Sequence, residues 1–488
     1  MKQTETNTTV RIIVVGAGKA GELVVGDIKE RKDLPFELVG FVDDDPAKTG
    51  KKVAGLKVLG TTHDLPKLIA EHMVEELLIA IPSERGKVIR DIVDRTAGTN
   101  VDYKIIPRLS EVLLQDFKED YIQHIRRVRA EDLLGGELLK SDQREITRHI
   151  KGRTIMITGA AGSIGSELSR QIVAYGAKKV VMYDWWENGT FDLRNQILEA
   201  HPKANAVFVI GDVKDAKKVS QIMAEHKPDA IFHAAAYKHV PLMEGHPSEA
   251  IRNNLFGTKI VAEAAIRNRV KKFVLISTDK AVNPTNIMGA TKRAAEQMIH
   301  ILAKSQSHTI FCAVRFGNVI NSNGSVIPFF QRQIEQGGPV GVTHPDITRF
   351  FMTIPEAVHL VLQSWVIGEN DDLFVLDMGE SVKIYDLVKS LIALEGYEPD
   401  KDIRIEIIGL RPGEKLYEEV LIEEEKVQST SLRKIFRTRN HHDFDELAFL
   451  YDLSILAKSI DEDSLNVPVL REQLQKMVVT YKPAKHSL

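Results

Sequence analysis

Apolar and polar positions along the chain repeat in a strand, turn, helix order. Residues 10–15, VRIIVV, form a β-branched run that predicts a buried strand, and a glycine-rich turn separates them from the helical stretch ELVVGDIKE at 22–30. Further strands are predicted near residues 37–42, 75–81 and 101–106. Because strands that alternate with helices favour a parallel sheet, the first part of the chain is predicted to be an α/β domain.

A second series with the same order begins near residue 153, at RTIMIT, and the alternation continues over 150–315. After about residue 316 the pattern becomes irregular, with SNGSVIP, GGPVGVTHPD and LRPGEK. The predicted fold class is therefore α/β, with two doubly wound Rossmann-like domains, the second carrying a smaller C-terminal substrate-binding lobe. The predicted boundaries are 1–130 for the first domain, 131–150 for a polar connector and 151–488 for the catalytic domain.

Composition is that of an ordinary globular protein, with 43% hydrophobic and 27% charged residues, which excludes a disordered chain. The 65 Lys and Arg against 68 Asp and Glu give a net charge of −3, so nucleic acid is not expected as a partner. Cys312 is the only cysteine, which excludes an intrachain disulfide and favours a cytoplasmic location. The polar start MKQTETNTTV and the absence of a long apolar run predict no membrane segment in this chain.

The first glycine motif is Gly16-x-Gly18-x-x-Gly21, and Asp43 ends the next predicted strand, where an acid that binds ribose would lie. Glycines at this spacing let the backbone approach a pyrophosphate at a helix N-terminus. No catalytic cluster follows in this part of the chain. Ligand binding by the first domain therefore stays open, and a regulatory or vestigial nucleotide fold is the alternative.

The second motif, Gly159-x-x-Gly162-x-x-Gly165, has the spacing of short-chain dehydrogenases, and Asp184 ends the strand that follows it. A carboxylate there binds the ribose hydroxyls and repels a 2′-phosphate, which predicts NAD as the cofactor. The predicted cofactor-binding residues are Gly159, Gly162, Ser163, Ile164, Gly165, Asp184, Asp212, Val213, Ala234, Ala235 and Lys292.

The candidate chemistry lies in the segment FVLISTDKAVNPTNIMGATKRAAEQ. A buried strand ends at Thr278, Asp279 and Lys280, and the helix after it carries Met288 and Lys292. Ligands of doubly wound sheets bind at the carboxyl ends of the strands, so these side chains are expected near the nicotinamide. Most short-chain dehydrogenases have Tyr-x-x-x-Lys here, and a thioether cannot exchange a proton as the phenol does. The proton transfers are therefore assigned to Thr278, Asp279 or Lys280.

Several long motifs in a fixed order carry a family resemblance. The chain resembles the large nucleotide-sugar 4,6-dehydratases of bacterial polysaccharide biosynthesis, in the extended short-chain dehydrogenase superfamily, over roughly residues 130–425. Full-length members usually carry transmembrane helices ahead of the first domain, so we expect either a soluble member or a shortened chain. The matching stretches are TGAAGSIGSEL, HAAAYKHVPLME, STDKAVNPTNIMGATKR, RFGNVINSNGSVIPFF, HPDITRFFMTIPEA and LRPGEK.

This resemblance implies a substrate and a set of roles. The implied substrate is UDP-N-acetylglucosamine, and the implied product is UDP-2-acetamido-2,6-dideoxy-α-D-xylo-4-hexulose with the C5 configuration retained, as in relatives with methionine at position 288. Thr278 would lie near the C4 hydroxyl, with Lys292 on the nicotinamide ribose. Lys280 would take the C5 proton, which requires a lowered pKa, and Asp279 would protonate the C6 hydroxyl, which requires a raised one. Thr278, a water or Asp279 would deprotonate the C4 hydroxyl.

The resemblance also implies substrate contacts and an assembly. Lys238, Asn318 and Arg411 are the predicted substrate-binding residues, the latter two as diphosphate contacts. Arg315 and Arg349 are equally plausible as phosphate or structural partners and are not included. A homo-oligomer, a dimer or larger, is expected. No metal site is predicted, because the histidines lack metal-ligand spacing.

Two other functions remain open. A UDP-sugar 4-epimerase is disfavoured by the missing tyrosine. A catalytically silent NAD-binding regulator is disfavoured by the intact Asp279-Lys280 pair.

Overall fold

A computed structural model describes residues 9–31, 33, 35–82, 86–106, 125–135, 143–419, 427–438, 444–462 and 466–484. The strands in chain order are β1 (Val10–Val15), β2 (Phe36–Val42), β3 (Lys52–Val53), β4 (Leu56–Gly60), β5 (Glu76–Ile79), β6 (Asp102–Ile105), β7 (Arg126–Arg127), β8 (Thr154–Thr158), β9 (Lys179–Asp184), β10 (Ala206–Ile210), β11 (Ala230–His233), β12 (Lys272–Ile276), β13 (Ile310–Arg315), β14 (Asn318–Val319), β15 (Val340–Val342), β16 (Thr348–Arg349), β17 (Phe351–Met352), β18 (Asp372–Leu376), β19 (Val382–Lys383), β20 (Ile405–Ile407), β21 (Val427–Ser429) and β22 (Ile435–Thr438).

Helices alternate with these strands. The α-helices span Lys19–Glu30, Leu65–His72, Gly86–Arg95, Ala130–Leu134, Gln143–Ile150, Ser163–Ala174, Glu187–Ala200, Ala216–His226, Val240–Gly245, Pro247–Ala250, Thr258–Arg267, Ile287–Ser305, Val326–Glu335, Ile354–Ile367, Ile384–Leu394, Glu446–Glu462 and Val467–Met477. Thr62–Asp64 and Asp279–Ala281 form 3₁₀ turns, and Ile251–Gly257 forms a π-helical segment.

The chain divides into two compact units. Unit 1 comprises Met1–Lys140, Gly324–Asp346 and Val382–Ile408, and unit 2 comprises Ser141–Asn323, Ile347–Ser381 and Gly409–Leu488. Within the predicted connector, 131–134 and 143–150 are helical, and 136–142 lie outside the described residues.

Unit 1 contains a seven-stranded sheet in the order β3-β4-β2-β1-β5-β6-β7. The pairs between β4 and β6 are parallel, and the short edge strands β3 and β7 are antiparallel to their neighbours. The central strands are apolar because they are covered on both faces. Val24, Val25 and Ile28 of helix Lys19–Glu30 belong to the core on one face.

Unit 2 contains a nine-stranded sheet in the order β10-β9-β8-β11-β12-β13-β18-β22-β21. The strands from β10 to β18 are parallel, and the last two pairs are antiparallel. The order reverses at β8, so the turn after β8 lies at the switch point where doubly wound sheets bind ligands. The predicted α/β fold class with two Rossmann-like sheets is confirmed.

An apolar cluster of unit 2 joins distant parts of the sequence. Helix Ile287–Ser305 contributes Ile287, Met288 and Met298, and the helices after residue 444 contribute, among others, Leu456 and Leu470. The backbone of the C-terminal segment also pairs with the loop before that helix, because Lys482 N donates to Pro284 O at 2.9 Å. The C-terminal helices therefore complete the core under the helix that carries Met288.

Cys312 lies within β13 and is 1% exposed. Burial raises the pKa of its thiol to about 12. Within the described residues, none of the helices combines the length and the apolar character needed to cross a bilayer.

Candidate active site

The segment after β12 forms a compact turn at the carboxyl edge of the unit 2 sheet. Thr278 caps the 3₁₀ turn, accepting from Lys280 N at 3.3 Å, and its hydroxyl donates to Asp279 Oδ1 at 2.8 Å. The Asp279 side chain is fully buried, while that of Lys280 is 20% exposed. These three residues are therefore brought together as predicted.

The Lys280 ammonium contacts two carboxylates and one amide. Its Nζ lies 2.7 Å from Glu418 Oε1, 3.1 Å from Asp279 Oδ1 and 3.2 Å from Asn318 Oδ1. Asn318 Nδ2 in turn donates to Glu418 Oε2 at 3.1 Å, and Arg349 Nε lies 3.3 Å from Glu418 Oε1. The site is thus a network of opposite charges that is largely buried.

The two carboxyl groups differ in their tendency to ionise. Burial raises the pKa of Asp279 to about 7, and the neighbouring Glu418 carboxylate adds to the rise, although the Lys280 ammonium opposes it. Burial also acts to raise the pKa of Glu418, but Lys280 and Arg349 outweigh it and hold that pKa well below its usual range. Glu418 is therefore the ionised member of the pair, and Asp279 is the one able to carry a proton near neutral pH.

The expectation of a lowered Lys280 pKa is wrong for the free site. Burial acts to lower it, but the carboxylates of Asp279 and Glu418 reverse the effect and raise the pKa of Lys280 above its ordinary value. Desolvation and neighbouring cations would lower this pKa, but the Glu418 carboxylate, which the sequence does not place near Lys280, acts in the opposite direction. In this structure Lys280 is an ammonium.

Met288 and Lys292 lie on helix Ile287–Ser305 and are both 3% exposed. Met288 packs within the apolar cluster completed by the C-terminal helices. Lys292 Nζ donates to Ile276 O at 2.7 Å, and burial lowers the pKa of Lys292 to about 8. Gly289 lies against the reactive turn, since a Cβ there would be 2.1 Å from Lys280 O.

A buried ion network below the turn fixes the strand end to this helix. Glu296 accepts from Arg315 Nε at 2.8 Å, from Arg315 Nη2 at 2.7 Å and from Ser277 Oγ at 2.5 Å. Arg293 Nη1 donates to it as well, at 3.1 Å. Arg315 is fully buried in this network, so it is a structural partner of the site.

The glycine turn after β8 is closed by backbone contacts that leave no space for side chains. A Cβ on Gly159 would lie 2.5 Å from Ala235 N, and one on Gly165 would lie 2.0 Å from Gly159 O. Gly162 precedes the first turn of helix Ser163–Ala174 without a side-chain cap. The Asp184 carboxylate is fixed beside this turn by Ala161 N, which donates to Oδ2 at 2.8 Å.

The other predicted cofactor residues surround the same edge. Asp212 Oδ1 accepts from Lys214 N at 2.9 Å, and the buried Val213 contacts the position of Gly257. Ala234 follows β11 and donates through its backbone N–H to Thr158 O at 3.0 Å. Ser163 Oγ accepts from Asn323 N at 3.0 Å, and Ile164 lies in the same helix turn. These residues fit a dinucleotide, because the turn and Asp184 provide the close backbone and the ribose acceptor that it needs.

The predicted substrate residues are placed differently from one another. Lys238 Nζ donates to Ser322 Oγ at 3.2 Å. Partial desolvation lowers the pKa of Lys238, and the nearby charge of Lys280 lowers it further. Asn318 lies inside that cluster, bonded to Lys280 and Glu418. Arg411 is exposed in the LRPGEK loop, where its N–H donates to Glu414 Oε2 at 3.1 Å. The roles of these three residues stay predictions.

Sequence reasoning missed Glu418 and Gly289. Glu418 lies in an irregular loop far along the chain from Lys280, and no periodicity connects the two. The one signal in the sequence for this residue is the acidic pair Glu418-Glu419, which follows the LRPGEK stretch. Gly289 lies between Met288 and Lys292, and the need for a glycine there becomes visible only once Lys280 O is placed.

The first glycine motif repeats the local geometry in unit 1. Asp43 Oδ2 accepts from Ala17 N at 2.8 Å, as Asp184 does from Ala161, but it also pairs with Lys48 at 2.9 Å. Among the described residues, no group of three or more His, Cys, Asp and Glu side chains is arranged to hold a metal ion.

Comparisons with known proteins agree with this architecture. A sequence model of the family described as "Polysaccharide biosynthesis protein" matches residues 155–440, and one described as "CoA-binding domain" matches residues 1–107. The capsular polysaccharide biosynthesis protein CapD of Staphylococcus aureus is 44% identical over 432 residues, which are 88% of this chain and 72% of that protein. A UDP-glucose 4-epimerase of Rickettsia canadensis is 40% identical over 291 residues, covering 58% of this chain and 82% of that protein. The solved structure of Pen from Bacillus thuringiensis has a TM-score of 0.55 and 35% identity, covering 59% of this chain and 89% of that one.

Proposed function

Because the chain belongs to the family of polysaccharide biosynthesis proteins, within the extended short-chain dehydrogenase superfamily, we propose that it catalyses the NAD-dependent 4,6-dehydration of UDP-N-acetylglucosamine. The broader class is that of a nucleotide-sugar-modifying enzyme of polysaccharide biosynthesis. The proposed product is UDP-2-acetamido-2,6-dideoxy-α-D-xylo-4-hexulose, with the C5 configuration retained. The observation that carries the proposal is the cluster of Thr278, Asp279 and Lys280 at the carboxyl edge of the sheet.

The glycine turn with Asp184 would hold the cofactor, and Lys292 would lie at its nicotinamide ribose. When bound, NAD supplies reversible hydride transfer, from C4 of the sugar and back to C6. The proton of the C4 hydroxyl passes to Asp279, through the Thr278 hydroxyl that donates to Asp279 at 2.8 Å. A pKa near 7 lets one carboxyl accept this proton and release it later.

The elimination then needs an acid at C6 and a base at C5. Asp279 gives its proton to the C6 hydroxyl, which leaves as water. Lys280 takes the C5 proton, which the C4 ketone has made acidic, and later delivers to C5 a proton that has exchanged with solvent. The C4 hydroxyl proton therefore leaves in the water, and the C4 hydride ends on C6.

The test is incubation with UDP-N-acetylglucosamine and NAD in deuterated water. The expected product has lost one water and carries deuterium at C5, and its proton NMR spectrum gives the C5 configuration. A product of unchanged mass with inverted C4 would replace the proposal by 4-epimerisation. The epimerase relatives favour that second candidate, and Met288 in place of a phenol opposes it. Absence of any turnover would favour a regulator that binds NAD.

A further inference from the structure

The Lys280 ammonium has three protein oxygens within hydrogen-bond distance. Glu418 Oε1 at 2.7 Å is closer than Asp279 Oδ1 at 3.1 Å or Asn318 Oδ1 at 3.2 Å. An ammonium has three protons to donate and no lone pair. Lys280 therefore cannot take a proton from carbon until one of these acceptors has taken a proton from Lys280.

The groups around Lys280 leave one suitable acceptor. Asn318 offers an amide oxygen, which is too weakly basic to hold the proton. In the proposed reaction Asp279 already carries the proton that is destined for the C6 hydroxyl. Glu418 remains, and its side chain is 3% exposed. Two other charged groups face Lys280 and Glu418: Arg349 contacts Glu418, and Lys238 interacts electrostatically with Lys280. Glu414 lies one step further, paired with Arg349 Nη2 at 3.1 Å.

The charges of the free site oppose this transfer, because Lys280 and Arg349 hold the pKa of Glu418 low while the carboxylates raise the pKa of Lys280, and loss of water reduces that opposition. In water, hydration stabilises the charged pair of ammonium and carboxylate relative to the neutral pair of amine and carboxylic acid. This stabilisation decreases when water leaves the site. A bound sugar would cover the remaining exposed fifth of the Lys280 side chain. The contact between Nζ and Oε1 is already at hydrogen-bond distance, so no rearrangement is needed.

We propose that Glu418 is the proton acceptor that converts Lys280 from ammonium to amine, acting through Lys280 in the dehydration proposed above. One ammonium proton moves to Glu418 Oε1, and the freed lone pair takes the C5 proton. The C5–H electron pair becomes the enolate of the C4 ketone and then expels the C6 oxygen, which leaves with its bonding pair and the Asp279 proton as water. Lys280 returns a proton to C5 as the hydride reaches C6, and Glu418 returns its proton to Lys280.

The variant Glu418→Gln tests this role, because it keeps the size of the side chain and removes the basic oxygen. Glu419→Gln is the matched control, since Glu419 is the next residue, is half exposed and contacts Asn283 and Lys415 instead of Lys280. Glu418→Asp is a second variant that retains a carboxylate. Thermal unfolding of all three reports whether the substitutions preserve the fold.

The measurement is solvent deuterium incorporation at C5 against pH, together with the absorbance of reduced nicotinamide after substrate is added. We expect Glu418→Gln to slow C5 exchange about 10²-fold at neutral pH while hydride removal from C4 persists. Raising the pH should recover part of the exchange, because hydroxide can then deprotonate Lys280, whose pKa the Glu418 carboxylate no longer raises in this variant. Glu418→Asp should retain a larger share of the rate, and Glu419→Gln should match the wild type.

Three results would overturn the proposal, and they are distinguishable. If the wild type dehydrates its substrate and Glu418→Gln keeps the wild-type exchange rate and pH profile, the role of Glu418 fails and the dehydratase function stands. If Glu418→Gln does not fold, equal exchange rates of Glu418→Asp and the wild type at every pH, despite the shortened side chain, would count against the transfer. If the wild type dehydrates no UDP-sugar, both proposals fail together.

Discussion

At the scale of single residues, the site places two carboxyl groups and one amine within hydrogen-bond distance of each other. In the free site Glu418 is ionised, Lys280 is protonated and Asp279 can carry a proton near neutral pH. Asp279 is contiguous with Thr278 and Lys280, so the sequence alone was sufficient to predict their association. The contact with Glu418 depends on how a distant loop returns to the strand end, which no local pattern encodes. That missing residue reversed the expected shift of the Lys280 pKa.

Asp279 should set the pH dependence of the reaction. Its pKa is raised to about 7, and the ionised form is the one that accepts the proton of the C4 hydroxyl, so the dehydration rate should fall as pH drops through that value. Asp279→Asn, which cannot deliver the proton, should lower kcat by about 10²-fold or more at every pH. Steady-state rates on a sugar nucleotide, measured against pH, give both the pH profile of the wild type and the loss of kcat in Asp279→Asn. A rate that stays constant through neutral pH would count against this role.

Glu296 should be a stability residue. Burial opposes its ionisation, but Arg315 and Arg293 outweigh burial and hold the pKa of Glu296 to about 2. Glu296→Gln leaves the Arg315 charge buried with a neutral partner, so the free energy of unfolding should fall by about 3–5 kcal/mol. Urea denaturation measures this, with Glu263→Gln, whose partly exposed carboxylate pairs with Lys259, expected within about 1 kcal/mol of wild type.

The same ion network predicts a direction with pH. Because the folded pKa of Glu296 is depressed below its ordinary 4.5, its contribution is fully present above pH 4.5 and is lost as pH falls toward 2. The wild type should therefore lose more stability than Glu296→Gln over that acid range. Equal losses in the two proteins would contradict this assignment.

At the scale of elements, the glycine turns were predictable because their spacing reflects backbone contacts that are the same in both sheets. Asp43 accepts from the backbone N–H of Ala17 and Asp184 accepts from that of Ala161, both at 2.8 Å and both from a residue within the turn. The buried runs predicted the central strands for the same reason, since strands covered on both faces must be apolar. The short two-stranded sheets after residue 316 are not required to be apolar on both faces, so the hydrophobic pattern does not predict their positions.

Two glycines of helix Lys19–Glu30 should respond in opposite directions to alanine. A Cβ on Gly21 would lie 2.1 Å from Gly16 O, so Gly21→Ala should destabilise the protein by about 1–3 kcal/mol. Gly26 has nothing within 4 Å of its Cβ position, and Gly26→Ala should stabilise by about 0.5–1 kcal/mol. Thermal or urea unfolding compares the two. Destabilisation by both substitutions would refute the contact argument.

At the scale of the whole molecule, the segments after residue 316 are shared between the two units. Residues 324–346 and 382–408 belong to unit 1, and 347–381 and 409–488 belong to unit 2. The sequence indicated an irregular lobe there, but the assignment of each segment depends on long-range contacts that a linear pattern does not contain. Self-association remains a prediction that light scattering can measure.

The C-terminal helices should be part of the fold of unit 2. Leu470 is fully buried in the cluster that contains Met288 and Ile287, although it lies beyond the region matched by the family. Leu470→Ala should therefore cost about 2–5 kcal/mol of unfolding free energy. Chemical denaturation measures the loss, and the exposed Leu447→Ala is the control. A cost below about 1 kcal/mol would show that these helices are dispensable for the core.

The burial of Cys312 gives the protein a practical advantage for spectroscopy. Its thiol is nearly inaccessible and rarely ionised, so maleimide dyes should ignore it while the protein is folded. A cysteine introduced on the surface of each unit would then be the only site that takes a fluorophore. Energy transfer between two such dyes would measure the distance between the labelled sites, without first removing the native thiol.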